Sequence, residues 1–576
     1  MAEEPTSLTE SVVWPLGQVV EDARSEPMPD RLDDLDGKVI AELWDWMYDG
    51  DRAFPIIRAE LLRRYPSVTF VDYSVFGDIH GANEHEVIEA LPDLLRAHGC
   101  DAVIAGIGHC GTCTPAVIRA SLAVERAGFP SVSVIGELYE EHATVIANYL
   151  GFEDPPLAVY PGHIKTDTEV EFEEKFRTSV CDQIVASLTN AAPTIVTRIE
   201  EPKPRGVVFT GTVDEILDHF DAEGWSDGLP IVPPTIERVE RFLRSTPRDP
   251  EEVVGVMLPA RREVTVWSVA ANGVMAGCRP EYMPVLLAVA EGIADPAFKA
   301  EDAGSGTGWE PLVIVSGPII DELGFNFGTG AMRLGRRANT SIGRFTKLLL
   351  RNFGGMQIPP GKTDKTGVGT SFYVVLAEDE ASARAIGWPT FGEELGLSAH
   401  ESAATVVSVI AASPPLFYGR LPHDDVFTYL EPLVQVFGQA ILGYWCFTGL
   451  KWASWHPTIV LSPRIAAMVA EMGWSKDDLR RYLYEQALVP AGDLERRGQN
   501  VQLDIAEQVA AGLISPDYLR SRDPNRLVSA FVRPEWIQIL VAGNPDGPIQ
   551  QGYMNNHAQG IPITRRVGSA SPPRPD

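Results

Sequence analysis

Short apolar segments alternate with helical segments of about 12 residues between residues 37 and 200. Helices fit Phe54–Arg64, Glu84–His98 and Pro115–Ala127, and strands fit Ser67–Tyr73, Asp101–Ile107 and Ser131–Ile135. Strands that alternate with helices form parallel sheets covered by helices on both faces. This part of the chain is therefore predicted to be an α/β domain built on a parallel sheet.

In the rest of the 576-residue chain, the amino-acid composition indicates an amino-terminal arm, a linker and a second domain. Residues 1–36 are rich in Glu, Asp, Pro and Ser, which predicts an acidic arm that is mobile or laid over another subunit. The segment Glu200–Gly206, EEPKPRG, has linker composition and closes the first domain, 37–200. Residues 207–576 are then expected to form a second, larger α/β domain.

Two sequence echoes occur in the same order within this second domain. TVWSVA at Thr265–Ala270 is echoed by TVVSVI at Thr405–Ile410, and EPLVIVSGP at Glu310–Pro318 is echoed by HPTIVLSP at His456–Pro463. We therefore predict an internal duplication, covering about residues 264–355 and 404–490, with a ligand crevice between the two halves.

The charge and the termini limit the classes of partner. The chain has 79 Asp and Glu against 48 Lys and Arg, which argues against nucleic acid or an anionic membrane as partner. The amino terminus has no basic region followed by an apolar run, so no secretory signal is expected, and no stretch of about 20 apolar residues occurs. We expect a cytoplasmic protein that acts on a small molecule. As a large acidic α/β chain it is also expected to be a homo-oligomer.

Two cysteines stand at the point where a predicted strand meets a predicted helix. The segment is AGIGHCGTCTPAVIRA, Ala105–Ala120, with Cys110 and Cys113 in the turn. Ligands of open α/β sheets bind at such carboxyl ends of strands, and a helix amino terminus favours a thiolate over a thiol. Cys110 is thus a candidate nucleophile, and Cys113 a candidate resolving cysteine that displaces the captured group by forming a disulfide.

Neighbouring side chains complete this candidate site. Thr112 and Thr114 are placed to cap the helix and are candidates for substrate binding. His109 is a candidate second positive charge beside Cys110. Two alternatives remain open: a zinc half-site, which needs two further ligands, and a buried cysteine pair without chemistry.

A second candidate site follows glycines in the larger domain. Arg336 and Arg337 precede a predicted helix, and Asn339, Thr340 and Ser341 are each placed to cap it. We therefore expect Arg337, Asn339, Thr340 and Ser341 to bind a substrate carboxylate or phosphate. The Lys-Ser/Thr of a nucleotide-binding loop is missing, so nucleotide binding is not expected.

A third polar cluster is interpreted as part of the fold and not as a functional site. Asp78, His80, Glu84 and His85 in GDIHGANEHE fit a polar loop entering a helix better than a metal site, because their spacing matches no metal pattern. No metal and no cofactor are predicted.

The cysteine segment also resembles a known family. GHCGTCT at Gly108–Thr114, AVERAGFPSVSV at Ala123–Val134 and PGHI at Pro161–Ile164 are similar to the UGSC-motif family of selenoproteins and their cysteine homologues. They are also similar to the selenoprotein B subunits of glycine reductase type. The resemblance covers about residues 39–192 and places Cys110 at the selenocysteine position.

The resemblance implies redox chemistry in which the nucleophile attacks a carbon and expels a heteroatom leaving group. Cys110 replaces the stronger selenium nucleophile, and His109 stands where many such proteins have an acid. His109 is therefore a candidate proton donor to the leaving group.

Together these features predict a cysteine-dependent enzyme that reductively cleaves a carbon–heteroatom bond of a small, carboxylated molecule. An external thiol or a redox partner protein would supply the electrons. Two alternatives stay open: a non-redox lyase or transferase with Cys110 as nucleophile, and a thiol protein that binds a soft metal or an electrophile.

Overall fold

The computed structural model describes the larger part of the chain. The described residues are 8–20, 29–152, 154–190, 201–302, 304, 308–356, 369, 371, 373–416, 425–443, 455–497, 505–555 and 560–568. Within these ranges, every helix is too short or too polar to cross a membrane.

The first domain is built on a parallel sheet, as predicted. Its strands are β2 (Val39–Trp44), β3 (Thr69–Val71), β4 (Ala102–Gly108), β5 (Ser131–Gly136) and β6 (Leu157–Tyr160). They pair in the order β3-β2-β4-β5-β6, and every pairing is parallel. Strand β4, which precedes the cysteine turn, therefore lies at the centre of the sheet and is buried along its whole length.

Helices cover both faces of this sheet. They are α1 (Gly50–Arg64), α2 (Glu84–Ala97), α3 (Cys113–Arg126), α4 (Glu140–Tyr149), α5 (Glu169–Lys175) and α6 (Cys181–Thr189). Apolar residues of α1, α5 and α6 form a core on one face. Residues of α2, α3 and α4 form a separate core on the other face. The two cores bury successive residues of the central strands, and this accounts for the continuous apolar sequences of β4 and β5.

The predicted acidic arm contains an ordered strand that packs on the second domain. Strand β1 (Glu10–Val13) pairs antiparallel with β7 (Val207–Gly211). Val12 and Val13 are fully buried in the core of the second domain. The composition of residues 1–36 conceals this apolar strand, so the structure departs from a mobile arm over residues 8–20. Residues 1–7 and 21–28 lie outside the described part.

The second domain contains a mixed sheet surrounded by helices, which confirms the α/β class. Its further strands are β8 (Val253–Met257), β9 (Arg262–Thr265), β10 (Glu310–Ser316), β11 (Leu376–Ala377), β12 (Ala403–Ala412), β13 (Thr458–Leu461), β14 (Leu488–Pro490), β15 (Leu527–Ser529), β16 (Gln538–Val541), β17 (Gln550–Asn555) and β18 (Ile563–Arg566). The large sheet has the order β11-β10-β12-β17-β13-β16, and β18 also pairs with β12.

The helices of this domain vary in length. They are α7 (Val213–Ala222), α8 (Ile236–Leu243), α9 (Val266–Met275), α10 (Met283–Ile293), α11 (Ile319–Leu323), α12 (Arg337–Asn352), α13 (Glu380–Ala385), α14 (Phe391–Glu394), α15 (Phe427–Gly443), α16 (Pro463–Glu471), α17 (Lys476–Gln486), α18 (Ala491–Arg497) and α19 (Ile505–Ala510). Helices α9, α10 and α12 pack against one another in the core.

The predicted duplication does not correspond to a structural repeat at its first pair of segments. Thr265 caps helix α9, so Thr265–Ala270 is the start of a helix, whereas Thr405–Ile410 lies inside strand β12. Both segments are buried and apolar, and such segments have the same sequence pattern in a helix and in a strand. The second pair of segments contains a strand in each copy, β10 and β13.

Candidate functional site

The cysteine pair lies in the turn between β4 and α3, at the carboxyl ends of the parallel strands, as predicted. Cys110 and Cys113 form a disulfide whose Cα atoms are 5.4 Å apart. Cys113 is fully buried, whereas Cys110 is 8% exposed. Cys110 is therefore the sulfur that a small molecule reaches first.

The amino terminus of α3 supplies a hydrogen bond to Cys110. The backbone N–H of Cys113 donates to Cys110 Sγ at 3.0 Å, and Thr112 Oγ1 lies 3.3 Å from the same sulfur. The sequence predicted that Thr112 and Thr114 cap the helix, but neither side chain does so. The N–H of Thr114 donates to the carbonyl of Cys110 at 3.1 Å, and Pro115 has no N–H to donate. Thr114 is instead buried within the first turn.

A buried histidine is connected to Cys110 through Thr112. His80 Nε2 lies 3.3 Å from Thr112 Oγ1, and His80 Nδ1 lies 3.3 Å from a carboxylate oxygen of Glu84. An ionised Glu84 accepts a hydrogen bond from the N–H at Nδ1. The other ring nitrogen, Nε2, then carries no proton and can accept a hydrogen bond from the Thr112 hydroxyl. Cys110, Thr112 and His80 thus form a chain along which a thiol proton can move.

An arginine of α3 stabilises the negative charge of Glu84. Arg119 Nε donates to Glu84 at 2.7 Å, and the same guanidinium donates to Asp302 of the second domain at 2.9 Å. Burial alone would raise the pKa of Glu84, but Arg119 and His80 outweigh it and hold this pKa well below the usual range. Glu84 is therefore ionised when it meets His80. Burial raises the pKa of Asp302 above its ordinary value despite Arg119.

Other contacts join the second domain to this region. Lys299 Nζ donates to the carbonyl of Gly81 at 2.8 Å, and His85 Nε2 lies 2.9 Å from a carboxylate oxygen of Glu301. The Glu301 contact raises the pKa of His85. The loop that carries His80 is thus held from both domains.

Three residues of this cluster have the geometry of metal ligands. One ligand atom each of His80, Glu84 and Asp302 lies within 4.8 Å of the others. Arg119, however, donates to both carboxylates and already supplies the positive charge that a metal ion would bring. We therefore interpret the cluster as an ion-pair network that orients His80.

His109 does not carry the charge that the sequence suggested. Burial lowers its pKa to about 3, with His163 and Lys165 adding to the effect, so the ring is neutral near pH 7. Its Nε2 accepts the backbone N–H of Ile164 at 3.2 Å, and its ring packs against His163 at 4.6 Å between centroids. His109 also contacts the ring of Tyr48. The expected second positive charge beside Cys110 is therefore absent at this residue, because its surroundings are aromatic and buried.

The predicted anion cradle has a different local structure from the expected one. Helix α12 begins at Arg337, so Asn339, Thr340 and Ser341 are its third, fourth and fifth residues, and the helix has no side-chain cap. Asn339 donates to the carbonyls of Asn326 and Val375, and Ser341 donates to the carbonyl of Arg337. Thr340 Oγ1 accepts the backbone N–H of Gly335 at 3.4 Å. These three side chains are therefore used within the fold.

The two predicted sites are separate in the described structure. Within the ranges that the structure describes, neither hydrogen bonds nor ion pairs join Arg337, Asn339, Thr340 or Ser341 to the cysteine turn. The residues that sequence reasoning missed are His80 and its partners Glu84, Arg119 and Asp302. The polar sequence after β3 was the available signal for His80, since β3 ends at the same sheet edge as β4.

Part of the chain matches a known protein family. A model of the UGSC family matches residues 11–190, a segment that includes the whole parallel sheet and both cysteines of the turn. No curated protein and no solved structure matches the chain.

Proposed function

We propose that the Cys110–Cys113 pair, which lies in the segment 11–190 that matches the UGSC family, is the redox centre of an enzyme. The enzyme would reductively cleave a carbon–heteroatom bond of a small carboxylated molecule. The observation that carries this proposal is the chain from Cys110 through Thr112 to His80, with both contacts at 3.3 Å. A structural cysteine pair needs no such connection to a buried histidine.

Two features of the turn prepare the reduced Cys110 for attack. The thiol transfers its proton through the Thr112 hydroxyl to His80 Nε2, and Glu84 stabilises the resulting imidazolium. The N–H of Cys113 and the amino-terminal end of α3 then stabilise the thiolate. In this proposal His80 takes the proton-handling role that the sequence had assigned to His109.

The proposed reaction has two steps, and its bonds, electrons and protons balance. The Cys110 thiolate attacks the carbon that bears the heteroatom, and the heteroatom leaves with the carbon–heteroatom electron pair and takes up the proton held by His80. The Cys113 thiol next loses its proton and its sulfur attacks the sulfur of the thioether. The carbon leaves as a carbanion stabilised by the adjacent carboxyl group and takes up the proton that Cys113 released. The substrate is reduced by two electrons and the cysteine pair is oxidised to the disulfide.

The next turnover requires an external dithiol, either a small thiol reductant or a redox protein, and hence a reducing compartment such as the cytoplasm. Thr112 is the predicted substrate-binding residue that stands nearest to the reacting sulfur, at 3.3 Å.

That the protein is a homo-oligomer remains a prediction, and analytical ultracentrifugation would test it.

The experiment that tests the proposal measures thiol use during turnover. The fully reduced protein is incubated with carboxylated compounds that carry amino, sulfur or halide leaving groups, and products and free thiols are quantified. We expect one released heteroatom group per newly formed Cys110–Cys113 disulfide. In Cys113→Ser we expect a thioether adduct on Cys110, detected by mass spectrometry.

Cys100 provides a matched control, because it is also 8% exposed and burial raises its pKa to about 11. Cys100→Ser should turn over like the wild type. Full multiple turnover in Cys113→Ser would replace the proposal by a non-redox lyase or transferase. Stoichiometric metal that is lost in Cys110→Ser would replace it by a metal-binding protein.

A further inference from the structure

A cavity of about 250 Å³ in the second domain is surrounded by arginines. It lies between α8, the turn that follows α9 and the start of α12, and its guanidinium groups come from Arg238, Arg241, Arg279 and Arg337. Val232 and Phe242 are among its apolar lining residues, and none of the described residues that line it is acidic. In a chain whose net charge is −31, four arginines at one cavity are not explained by composition.

Carboxylates neutralise only part of this charge. Arg238 makes a two-pronged ion pair with Glu10, both contacts at 2.7 Å. Arg279 lies 3.7 Å from Glu281, and both side chains are about half exposed. Among the described residues, no carboxylate lies within ion-pair distance of Arg241 or Arg337. Two of the four guanidinium groups, those of Arg241 and Arg337, therefore have no carboxylate partner among the described residues.

The positive side chains at the start of α12 interact unfavourably with the helix dipole, and a bound anion would offset this interaction. Arg336 and Arg337 stand at the amino terminus of this 16-residue helix, and its first turn has no acidic residue and no side-chain cap. Positive side chains at this end oppose the helix dipole, whereas an anion there is stabilised by it. The Nε of Arg337 donates to the carbonyl of Gly277 at 2.9 Å, which fixes the guanidinium at the cavity.

The cavity is suited to binding rather than to thiol chemistry. Cys278 also lines it, but this thiol is 5% exposed and burial raises its pKa to about 12. A thiol with such a pKa stays protonated near neutral pH and is a poor nucleophile.

We propose that the arginine cavity binds the phosphate group of a small molecule. The two arginines without a carboxylate partner, Arg241 and Arg337, match a phosphate group, which carries about two negative charges at neutral pH. Planar guanidinium groups also bind phosphate through paired hydrogen bonds. The site is independent of the cysteine chemistry proposed above and extends the expected role of Arg337 to three further arginines.

Calorimetric titration of the full-length protein at low ionic strength tests this proposal. The ligands are inorganic phosphate, glycerol 3-phosphate as a phosphate monoester, and succinate as a dianion without phosphorus. The variant Arg241→Gln/Arg337→Gln removes the two arginines without a carboxylate partner, and Arg520→Gln removes one positive charge from an exposed arginine that does not line the cavity.

We expect phosphate to bind more tightly than succinate, and the double variant to bind phosphate at least about tenfold more weakly than the wild type and Arg520→Gln. Tighter binding of glycerol 3-phosphate than of inorganic phosphate would identify a phosphate monoester as the ligand class, and the reverse would identify free phosphate. Circular dichroism verifies the fold, and the single variant Arg241→Gln is used if the double variant does not fold. Three results would each overturn the proposal: absence of phosphate binding up to about 10 mM, equal binding in the variants, or tighter binding of succinate.

Discussion

At the scale of single residues, the Thr112 hydroxyl is the feature of the cysteine turn most open to test, because it joins Cys110 to His80. Thr112→Val keeps the shape of the side chain but removes the proton path and one hydrogen bond to the thiolate. We expect alkylation of Cys110 near pH 7 to slow about tenfold, because the reduced sulfur loses a group that favours its thiolate form. The measurement is the pH dependence of iodoacetamide labelling at Cys110, read by mass spectrometry.

Thr112→Ser is the matched control, since it restores the hydroxyl and should label like the wild type. His80→Gln should slow labelling in the same direction as Thr112→Val. Equal labelling rates in all three variants would remove His80 from the site.

His109 gives a prediction for the pH dependence of stability. An unfolded chain protonates histidine near pH 6.5, whereas folded His109 stays neutral down to about pH 3. Its contribution to stability is therefore complete above pH 6.5 and is lost as the pH falls toward 3. Between pH 6.5 and pH 5 the loss reaches about 2 kcal/mol.

His109→Asn should abolish this part of the pH dependence, as measured by urea unfolding at several pH values. Cys181→Ser alters another fully buried residue of the same domain, whose pKa burial raises to about 12, and should keep the wild-type pH profile. A wild-type profile in His109→Asn would show that another group dominates acid unfolding.

At the scale of helices and strands, the sequence predicted the first domain closely. Helix α2 was expected at Glu84–His98 and ends at Ala97, and β4 was expected at Asp101–Ile107 and runs to Gly108. These elements have clear periodicity or fully buried runs. The prediction failed where buried apolar sequence does not distinguish helix from strand, as in Thr265–Ala270, and where a short apolar strand lies in an acidic region, as in β1.

The ends of β4 and β5 are packed so closely that an added methyl group should destabilise the protein. A Cβ atom on Gly136, at the end of β5, would overlap the imidazole of His109, which is confined by the rings of Tyr48 and His163. We expect Gly136→Ala to destabilise the protein by about 1–3 kcal/mol, measured as a lower urea midpoint. Gly328→Ala is the control, because no neighbouring atom of the described residues lies within 4 Å of its Cβ position. Equal midpoints would mean that His109 has room to move.

At the scale of the whole molecule, the candidate site draws on both domains. Arg119 on α3 joins Glu84 of the first domain to Asp302 of the second, and Asp302 lies 183 residues after Arg119 in the sequence. Asp302 has no local pattern that relates it to a cysteine turn so far away, so sequence reasoning could identify the cysteines but not this support. The same holds for the arginine cavity, whose four arginines come from three segments between residues 238 and 337.

The last prediction concerns this connection between the domains. Arg119→Gln leaves the buried Glu84 and Asp302 without their shared cation, and removing one partner of a buried pair costs about 3–5 kcal/mol. We expect a lower thermal transition, together with faster hydrogen–deuterium exchange in both 80–84 and 296–302. Arg96→Gln removes an exposed arginine from α2, whose ion-pair partner Asp93 is also exposed, and should change neither measurement. Faster exchange in 80–84 alone would mean that Arg119 orients the His80 loop without joining the domains, because Lys299 and Glu301 also bridge them.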